Sequence, residues 1–451
     1  MTMKLKLFCL VSISLCGLLA FTVVTKVMTF SSAYIYGYPL LLMQQTQQMM
    51  LSGPASENQI THNIRFPDHT FRTVVRPNVD TLYSIAWLNL SAEPHVLSVP
   101  DMGERYYISP FMDAWTNVFD SVGTRKTGNQ AGDYVIVGPN WSGELPSTIK
   151  AIHSPTNTVW MIQRIQTKGP DDIAEVAKLQ QQFSLASLSQ WYRGESSQSY
   201  IGSSSNDDNS STPHFSIEKM NANEFFSTLA RLLQQQPFLP GDNDIIDTLA
   251  KIGVTPGDYS PAAQGWLGQR IANIALNITR QKIKQQLKQK PQLKNGWAIF
   301  REDIGTYGTH YELRTGVAII GLGALPAKDA LYTNSSIDSG GETLIGENRY
   351  HIHFESGQIP PVNAFWSITL YDQDGYLVEN TFERYALGNR DALIYNDDGT
   401  LDIILQSTQP TSSNNNWLPT PKGKFVLTLR LYSPKTEAIN GNWTLPLVIK
   451  Q

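Results

Sequence analysis

The chain has 451 residues, which is too long for one typical domain and predicts two or three. Hydrophobic residues make up 41% of it and charged residues 16%, a composition that excludes a disordered chain. The net charge of -4, together with the lack of any Lys/Arg-rich run, excludes a nucleic-acid-binding surface.

The N-terminus has the layout of an export signal. Lys4 and Lys6 form a short basic segment, and residues 7–24 are mostly apolar. We therefore predict that residues 1–28 are a signal peptide and that the remaining chain is periplasmic or secreted. The alternative is an uncleaved anchor over residues 7–24, because about 18 apolar residues almost span a bilayer. Membrane contact is expected only in that second case.

Cysteine usage agrees with export. The two cysteines of the chain, Cys9 and Cys16, both lie within the apolar stretch, and Leu18 and Ala20 offer a cleavage pair. A chain cleaved there has no disulfide, thiol nucleophile or cysteine metal site.

Residues 31–169 are predicted to form an N-terminal β domain with a leading helix. Residues 31–50 carry apolar side chains at helical spacing, interrupted by Pro39. From about residue 65 onward, short apolar runs alternate with turn residues, which is typical of a sandwich or a barrel.

Residues 170–332 are predicted to be helical. Apolar residues recur at helical spacing there, most clearly over residues 261–290 and 311–332. Residues 195–213 are rich in Ser, Asn and Asp and are predicted to form a disordered loop.

Residues 333–451 are predicted to form a C-terminal β sandwich. Short apolar strands alternate there with hairpin-type turns such as Asp372-Gln373-Asp374-Gly375. The predicted fold class is therefore α+β, mainly β, with two sandwich-like or jelly-roll-like β domains joined by a helical middle region.

The densest polar segment surrounds a proline turn. Arg76 and Asn78 are candidate ligand-binding residues, since a guanidinium can hold an anionic group with two hydrogen bonds. Asp80 and Tyr83 are candidate catalytic residues, because they supply a proton acceptor and a hydroxyl. The alternative is structural: Pro-Asn-x-Asp is a common turn sequence, and an Arg–Asp pair can pin a loop.

Two further segments combine an aromatic platform with polar groups. Asp113 and Trp115 come just after a predicted strand, and their spacing of two residues places them on the same face. There Asp113 is a candidate catalytic acid and Trp115 a candidate ligand-binding residue. A buried Trp in a sandwich core predicts the same pattern. Trp366 and Trp417 are also candidate ligand-binding residues, although Trp366 begins a strand, which suits core packing. Trp417 lies in a loop, where it could stack on a ligand.

A metal site has weak support. His351, His353 and Glu355 alternate along one predicted strand, so their side chains share a face where two imidazoles and a carboxylate could hold a metal. Surface histidines on a strand are the more common explanation. No cofactor is predicted, and a metal ion stays an open alternative.

Several segments of the chain resemble known families. Residues 75–83 and Ser98-Val99-Pro100-Asp101 resemble the domain of unknown function 1254. Residues 360–367, Asn416-Trp417-Leu418-Pro419 and residues 429–434 resemble the domain of unknown function 1214. The two occur together in bacterial, often exported proteins. The resemblance implies two β domains joined by helices, and it assigns no activity to any residue.

Two hypotheses for the function stay open at this point. In the first, the chain is a hydrolase or lyase that acts on a small polar or carbohydrate-like substrate in a cleft between the β domains, with Asp80 and Asp113 as acid and base. In the second, it is a non-catalytic ligand-binding or cell-envelope interaction protein. Both hypotheses require the loops around Asn78, Trp115 and Trp417 to share one hollow. A homo-oligomer is compatible with either.

Overall fold

Helix and strand contribute almost equally to the fold. The structure is a computed structural model that describes residues 2–72, 75–202, 213–289, 291–299, 303–411 and 416–451, without the side chains of residues 2–16, 18, 19 and 215. Helices account for about 29% and strands for about 28%. The protein is therefore a mixed α+β protein with several sheets, and the expectation of a mainly β fold is corrected to that extent.

The helices of the described residues are numbered in chain order. They are α1 (Thr2–Met50), α2 (Ile173–Gln180), α3 (Leu188–Tyr192), α4 (Pro213–Lys219), α5 (Ala222–Gln235), α6 (Asn243–Lys251), α7 (Gly265–Leu287), α8 (Tyr311–Gly321) and α9 (Thr436–Ile439). Two 3-10 turns, Pro170–Asp172 and Pro261–Gln264, precede α2 and α7.

The strands are numbered in the same way. The first half of the chain contains β1 (Thr61–Asn63), β2 (Thr81–Asn89), β3 (His95–Val99), β4 (Tyr107–Asp113), β5 (Val118–Gly123), β6 (Gly132–Val137), β7 (Lys150–His153), β8 (Thr158–Gln166), β9 (Ser184–Ser187) and β10 (Tyr200–Ile201). The second half contains β11 (Val254–Thr255), β12 (Asp258–Tyr259), β13 (Leu293–Lys294), β14 (Trp297–Ile299), β15 (Ala330–Ser335), β16 (Tyr350–Phe354), β17 (Val362–Asp372), β18 (Ala386–Gly388), β19 (Leu401–Gln406), β20 (Trp417–Pro419), β21 (Phe425–Pro434) and β22 (Val448–Lys450).

Four sheets form two pairs. Sheet 1 has the strand order β10-β1-β2-β8-β4-β5, and sheet 2 has the order β7-β6-β3-β9. Sheet 3 has the order β13-β14-β15-β21-β17-β18, and sheet 4 has the order β20-β19-β16-β22. One hydrophobic core contains side chains of sheets 1 and 2, and another contains side chains of sheets 3 and 4. These strand orders show neither a closed barrel among the described strands nor a jelly roll.

A third core is helical. Residues of α1 from Phe30 onward pack there with α5, α6 and α7, and the side chains of Phe225, Phe226 and Leu229 are fully buried. A capping box starts α5, because Asn221 Oδ1 accepts a hydrogen bond from the Glu224 amide and Glu224 Oε2 accepts one from the Asn221 amide.

Several elements differ from the sequence-based expectations. The helix predicted over residues 311–332 ends at Gly321 as α8, and the chain then enters strand β15. Gly323 has a φ of 90°, which other residues rarely adopt, so the backbone turns there instead of continuing the helix. Pro39 lies inside α1 without ending it. In the predicted loop 195–213, residues 203–212 lie outside the described residues.

Strands from the predicted helical region complete sheets on both sides of it. Strand β9 pairs with β3 in sheet 2, while β14 and β15 join sheet 3. The stretch 170–332 therefore contributes to both β regions as well as to the helical core.

Helix α1 changes character along its length. Phe21, Val24 and Met28 are exposed, whereas Phe30 and the apolar residues that follow it are buried. Val23 and Val27 already pack against the helical core, so burial on one side of α1 begins before residue 28. Among the helical residues whose side chains the structure describes, no stretch is long and apolar enough to cross a membrane.

Candidate functional site

Sheets 1 and 3 each bury one apolar face and present a second face to each other. In β21, Leu427, Leu429 and Leu431 point into the core with sheet 4, and the alternation of a strand places Arg430 and Tyr432 on the opposite face. That face packs against sheet 1, since Tyr432 belongs to one cluster with Tyr106, Ile108 and Phe365.

We call the polar part of this contact the central layer. Sheet 1 and the turn before β2 contribute one side, and sheet 3 with the loop after β18 contributes the other. Its members are Asn78, Asp80, Tyr83, Arg164, Tyr332, Ser367, Arg390, Arg430 and Tyr432.

Asp80 is the most fully bonded residue of the central layer. Its side chain is buried and forms an ion pair with Arg390. Asp80 Oδ2 accepts hydrogen bonds from Ser367 Oγ at 2.6 Å and from the Tyr432 hydroxyl at 3.2 Å. The Asp80 carbonyl also accepts a bond from Arg390 Nη1 at 2.7 Å. These contacts tie the start of β2 to sheet 3.

Asn78 and Tyr83 lie next to Asp80, as the sequence predicted for this segment. Asn78 Oδ1 accepts from the Asp80 amide at 2.6 Å, which forms the expected Asn-x-Asp turn. Asn78 Nδ2 donates to the hydroxyls of Tyr83 at 3.1 Å and Tyr432 at 2.8 Å. Asn78 and Tyr83 both keep partial exposure, so this end of the central layer reaches solvent.

Arg76 does not have the predicted position beside Asp80. It is exposed, has a φ of 53°, and its carbonyl accepts a hydrogen bond from Arg430 Nη2 at 3.1 Å. Its amide donates to the Gly375 carbonyl at 2.7 Å. Arg390, and not Arg76, is therefore the arginine that pairs with Asp80.

Two other arginines of the central layer have no carboxylate partner among the described residues. Arg164 donates to the carbonyls of Ile162 at 3.0 Å and Gly323 at 2.9 Å, and its Nε atom has no partner. Arg430 donates to Thr369 Oγ1, the Tyr371 hydroxyl and the Arg76 carbonyl. Both side chains are nearly buried.

The hydroxyls of Tyr332 and Tyr432 in the central layer are neutral. Burial raises the pKa of Tyr332 to about 12, and the Arg164 charge only partly opposes this shift. Burial, followed by the negative charge of Asp80, raises the pKa of Tyr432 well above its ordinary value. The Tyr83 ring lies under Arg164, with 5.2 Å between the guanidinium carbon and the ring centroid. The layer thus offers neutral hydroxyl groups beside cationic guanidinium groups.

Asp113 and Trp115 lie in a different cluster. Asp113 is buried and accepts hydrogen bonds from the amides of Trp115 and Asn117 and from Asn117 Nδ2. Burial raises the pKa of Asp113 to about 6, although the bonds from Asn117 oppose the shift. Trp115 packs in the helical core, 4.5 Å from the Tyr36 ring between centroids. Trp115 is therefore a buried core side chain, as the structural alternative predicted.

Trp366 and Trp417 are also buried outside the central layer. Trp366 belongs to the core between sheets 3 and 4. Trp417 is in β20, where its Nε1 donates to the Gln406 carbonyl at 2.9 Å and its ring contacts Phe382. Asn78, Trp115 and Trp417 therefore do not share one hollow, and that expectation is wrong, because each Trp packs into its own core.

The weak metal candidates do not form a metal site. His351, His353 and Glu355 are on or just after β16, but no group of three potential ligands occurs among the described residues. His353 Nδ1 bonds Asp402 Oδ1 at 2.7 Å, and this bond raises the pKa of His353. Glu355 is largely exposed, and its Oε1 lies 3.7 Å from His353 Nε2.

Three surface grooves lie away from the central layer. The groove lined by Glu57, Glu93 and His95 has a volume of about 640 Å³, and its neighbour around Gln47 and Gln236 has about 780 Å³. A third, of about 670 Å³, lies near Tyr134. No central-layer residue lines any of these grooves. The three grooves are open to solvent, whereas the side chains of Asp80, Arg164 and Arg430 in the central layer are buried.

Sequence reasoning missed most of the central layer. Arg164, Tyr332 and Arg390 carry no motif that marks them, and Ser367, although within the family-like segment 360–367, was not a candidate site residue. The alternation of Thr428, Arg430 and Tyr432 with leucines was a usable signal, since polar residues on one face of a central strand indicate a second buried but polar contact.

Comparisons with known proteins identify two family regions. The family described as Protein of unknown function (DUF1254) matches residues 57–187, and the family described as Protein of unknown function (DUF1214) matches residues 329–436. A search of curated proteins finds no match. Asn78, Asp80 and Tyr83 lie in the first region, and Ser367, Arg390 and Arg430 lie in the second. The central layer is therefore the place where the two family regions meet.

Solved structures of two bacterial proteins are similar to this chain, and the first of them shares its fold. The VPA0106 protein from Vibrio parahaemolyticus is 22% identical, with a TM-score of 0.72 over 94% of this chain and 100% of that chain. An uncharacterised protein from Burkholderia cenocepacia is 11% identical, with a TM-score of 0.45 over 97% of each chain. The first likeness shows a common fold over nearly the whole length.

Proposed function

Residues 57–187 of this chain belong to the DUF1254 family and residues 329–436 to the DUF1214 family, and we propose that the protein is an exported binding protein for a small anionic molecule. The ligand site is the central layer, at the end where Tyr83, Asn78 and Tyr332 keep partial exposure. The observation that carries the proposal is the presence of two nearly buried arginines, Arg164 and Arg430, without a carboxylate partner.

Charge supports an anionic ligand. A buried guanidinium without an anion loses much of its hydration energy, and carbonyl or hydroxyl acceptors replace only part of it. Asp80 is already engaged with Arg390, and Asp391, which follows it, accepts from the Gly388 amide. A carboxylate against Arg164 would supply the missing charge and could use its unpaired Nε atom.

The tyrosines suggest which class of anion is bound. The hydroxyls of Tyr83 and Tyr332 can both donate and accept hydrogen bonds. A small hydroxylated carboxylate, such as a sugar acid, presents hydroxyls to these groups and its charge to Arg164. This choice keeps the carbohydrate-like character expected from the sequence and adds the negative charge.

The catalytic hypothesis, a hydrolase or lyase with Asp80 and Asp113 as acid and base, has less support. Asp80 is held by Arg390, Ser367 and Tyr432. The nearby carboxylate of Asp391, whose pKa is raised by burial and by the Asp80 charge, accepts a hydrogen bond from the Gly388 amide. Asp113 is buried in the separate cluster with Asn117. Tyr83 is the remaining catalytic candidate, and turnover of glycosides or esters that Tyr83→Phe abolishes would favour an enzyme over a binding protein.

The export part of the proposal is supported by the N-terminal sequence and by burial. Lys4, Lys6 and the apolar residues 7–24 precede the point at which α1 enters the helical core at Phe30. The alternatives are a periplasmic or secreted protein after cleavage and a protein anchored by residues 7–24.

A matched pair of ligands tests the binding site. Calorimetry would measure the affinities of the wild type and of Arg164→Gln for D-glucuronate and for D-glucose. The two sugars differ in that only glucuronate has a carboxylate. We expect the wild type to bind glucuronate at least tenfold more tightly than glucose, and Arg164→Gln to lose that preference. Arg270→Gln, on the exposed side of α7, removes the same charge elsewhere and should keep it. Equal affinities for both sugars, or an unchanged preference in Arg164→Gln, would overturn the proposal.

A further inference from the structure

Apolar side chains are exposed on both α1 and α7 near the point where α1 leaves the body of the protein. Trp266, in the first turn of α7, is 71% exposed, and Leu267 beside it is also exposed. On α1, Phe21 is 70% exposed, and Val24 and Met28 are exposed as well. We call these five residues the exit patch. Large aromatic side chains with about 70% of their surface exposed are unusual on a soluble surface.

The two helices of the exit patch are adjacent at this level. Lys26 Nζ lies 3.6 Å from the position that a Cβ atom would take on Gly268. Farther into the body, Thr279 Oγ1 donates to Ser31 Oγ at 2.8 Å and Arg280 Nε donates to the Tyr34 hydroxyl at 3.2 Å. Helices α1 and α7 therefore run side by side into the body, and the part of α1 ahead of residue 21 extends beyond the first turn of α7.

The sequence ahead of the exit patch is apolar. Residues 7–24, read from the sequence, span about 27 Å as a helix with a rise of about 1.5 Å per residue, close to the hydrocarbon thickness of a bilayer of about 30 Å. Lys26 and Trp266 then stand just past this stretch. Lysine and tryptophan are the side chains that prefer the boundary between hydrocarbon and water.

We infer that the protein keeps its N-terminal helix and rests on a phospholipid bilayer, with the exit patch and Lys26 in the headgroup region. The inference rests on the export that forms part of the proposed function. It selects the anchored form over the cleaved form, since cleavage after Ala20 would leave Phe21, Val24 and Trp266 uncovered in water. Lys4 and Lys6 would stay on the cytoplasmic side, which places the body outside.

Site-directed fluorescence tests the contact. In a full-length chain carrying Cys9→Ser and Cys16→Ser, a bimane label is attached at Trp266→Cys and the protein is reconstituted in phosphatidylcholine–phosphatidylglycerol vesicles that contain brominated lipid. Ile274→Cys is the matched control, because this exposed apolar position lies on the same helix about 12 Å farther into the body. Phe382→Cys, exposed in the C-terminal β region, is the distant control.

We expect at least twofold quenching of the label at 266, less at 274 and none at 382. Quenching at 266 no greater than at 382 would overturn the inference. A label at 266 that responds to protein concentration and not to brominated lipid would overturn it too, because the occupant would then be a second copy.

The intact mass of protein from the membrane fraction of a bacterial host gives an independent test. A full-length mass supports the inference. Loss of the first 20 or so residues would overturn it while leaving export intact. Retention of the unprocessed chain in the cytoplasm would contradict export itself, and the glucuronate preference of the central layer is measured separately from either result.

Discussion

Two regions of the molecule bury arginine, and they do so in different ways. In the helical core, Arg314 is fully buried under the rings of Tyr36, Trp115 and Tyr311, each about 5 Å away, and none of its nitrogen atoms has a hydrogen-bond partner. In the central layer, Arg164 and Arg430 donate to carbonyl and hydroxyl oxygens and lie beside partly exposed tyrosines.

The two regions differ in what surrounds the buried positive charge. Arg314 lies against three aromatic rings. Burial lowers the pKa of Arg314, and neighbouring groups, among them Asp113 and Asp242, oppose that shift. Arg164 stands next to a surface that solvent reaches. The proposed ligand site uses the buried arginines of the second region, whereas the arginine of the first region acts on the protein itself.

The largest effect should come from breaking the ion pair of the central layer. Asp80→Ala leaves the Arg390 charge buried and unpaired, and we expect it to lower the free energy of unfolding by about 4 kcal/mol. The double variant Asp80→Leu with Arg390→Met removes both charges and should lie within about 2 kcal/mol of the wild type. Urea unfolding measures both; a single variant as stable as the double one would contradict this account.

The next effect separates the two arginine regions directly. Arg314→Leu removes contacts with three aromatic rings and the positive charge near Asp113, so we expect a loss of about 3 kcal/mol in unfolding free energy. The Arg314→Leu variant should keep the same preference for glucuronate over glucose as the wild type. If Arg314→Leu lost that preference as Arg164→Gln does, the distinction between structural and ligand-binding arginines would fail.

The titration of Asp113, which lies near Arg314 in the first region, should make the stability of the protein depend on pH. The pKa of Asp113 is raised to about 6 in the folded protein, from an ordinary value of 3.8. The folded state therefore holds more protons in this window, and the contribution of Asp113 to stability is present below pH 3.8 and is lost as the pH rises through 6. Between pH 4 and 7 this loss amounts to roughly 2 to 3 kcal/mol.

Asp113→Asn keeps the shape and removes the titration. The stability of Asp113→Asn minus that of the wild type should therefore be larger at pH 7 than at pH 4.5. Urea unfolding midpoints of both proteins at both pH values measure this difference. A difference between the two proteins that does not change with pH would show that Asp113 is ionised at both.

The smallest effect tests the hydroxyl groups of the ligand site. Tyr83→Phe keeps the ring under Arg164 and removes the hydroxyl, so we expect about tenfold weaker glucuronate binding and a change in stability below about 1 kcal/mol. Tyr192→Phe, on the exposed surface of α3, should change neither quantity. Calorimetry and thermal unfolding check both variants, and equal affinities would remove Tyr83 from the site.

Local elements of this protein were predictable from its sequence. The turn at Asn78 and Asp80 forms as expected, because an Asn side chain accepts the amide two residues later wherever the chain folds. The amphipathic helix at residues 261–290 appears as α7 with the 3-10 turn before it, since its apolar spacing matches the helical period. The end of the helix predicted over 311–332 was not predictable, because Gly323 and the pairing of β15 with β21 outweigh the local pattern.

Which residues form the site was decided by packing between distant elements. Asp80 and Arg390 are 310 positions apart, and Asn78 and Tyr432 are 354 apart, so no spacing in the sequence connects them. Trp115, Trp366 and Trp417 look alike as aromatic residues near polar ones, yet each is buried in a core.

The sequence by itself determined the family regions, the expected export segment and the alternation of faces in the strands. Only the tertiary structure decided that the polar faces of sheets 1 and 3 meet and that Arg390 is the partner of Asp80. The physical reason is that periodicity reports whether a side chain is buried, while the identity of its neighbours depends on how whole sheets pack.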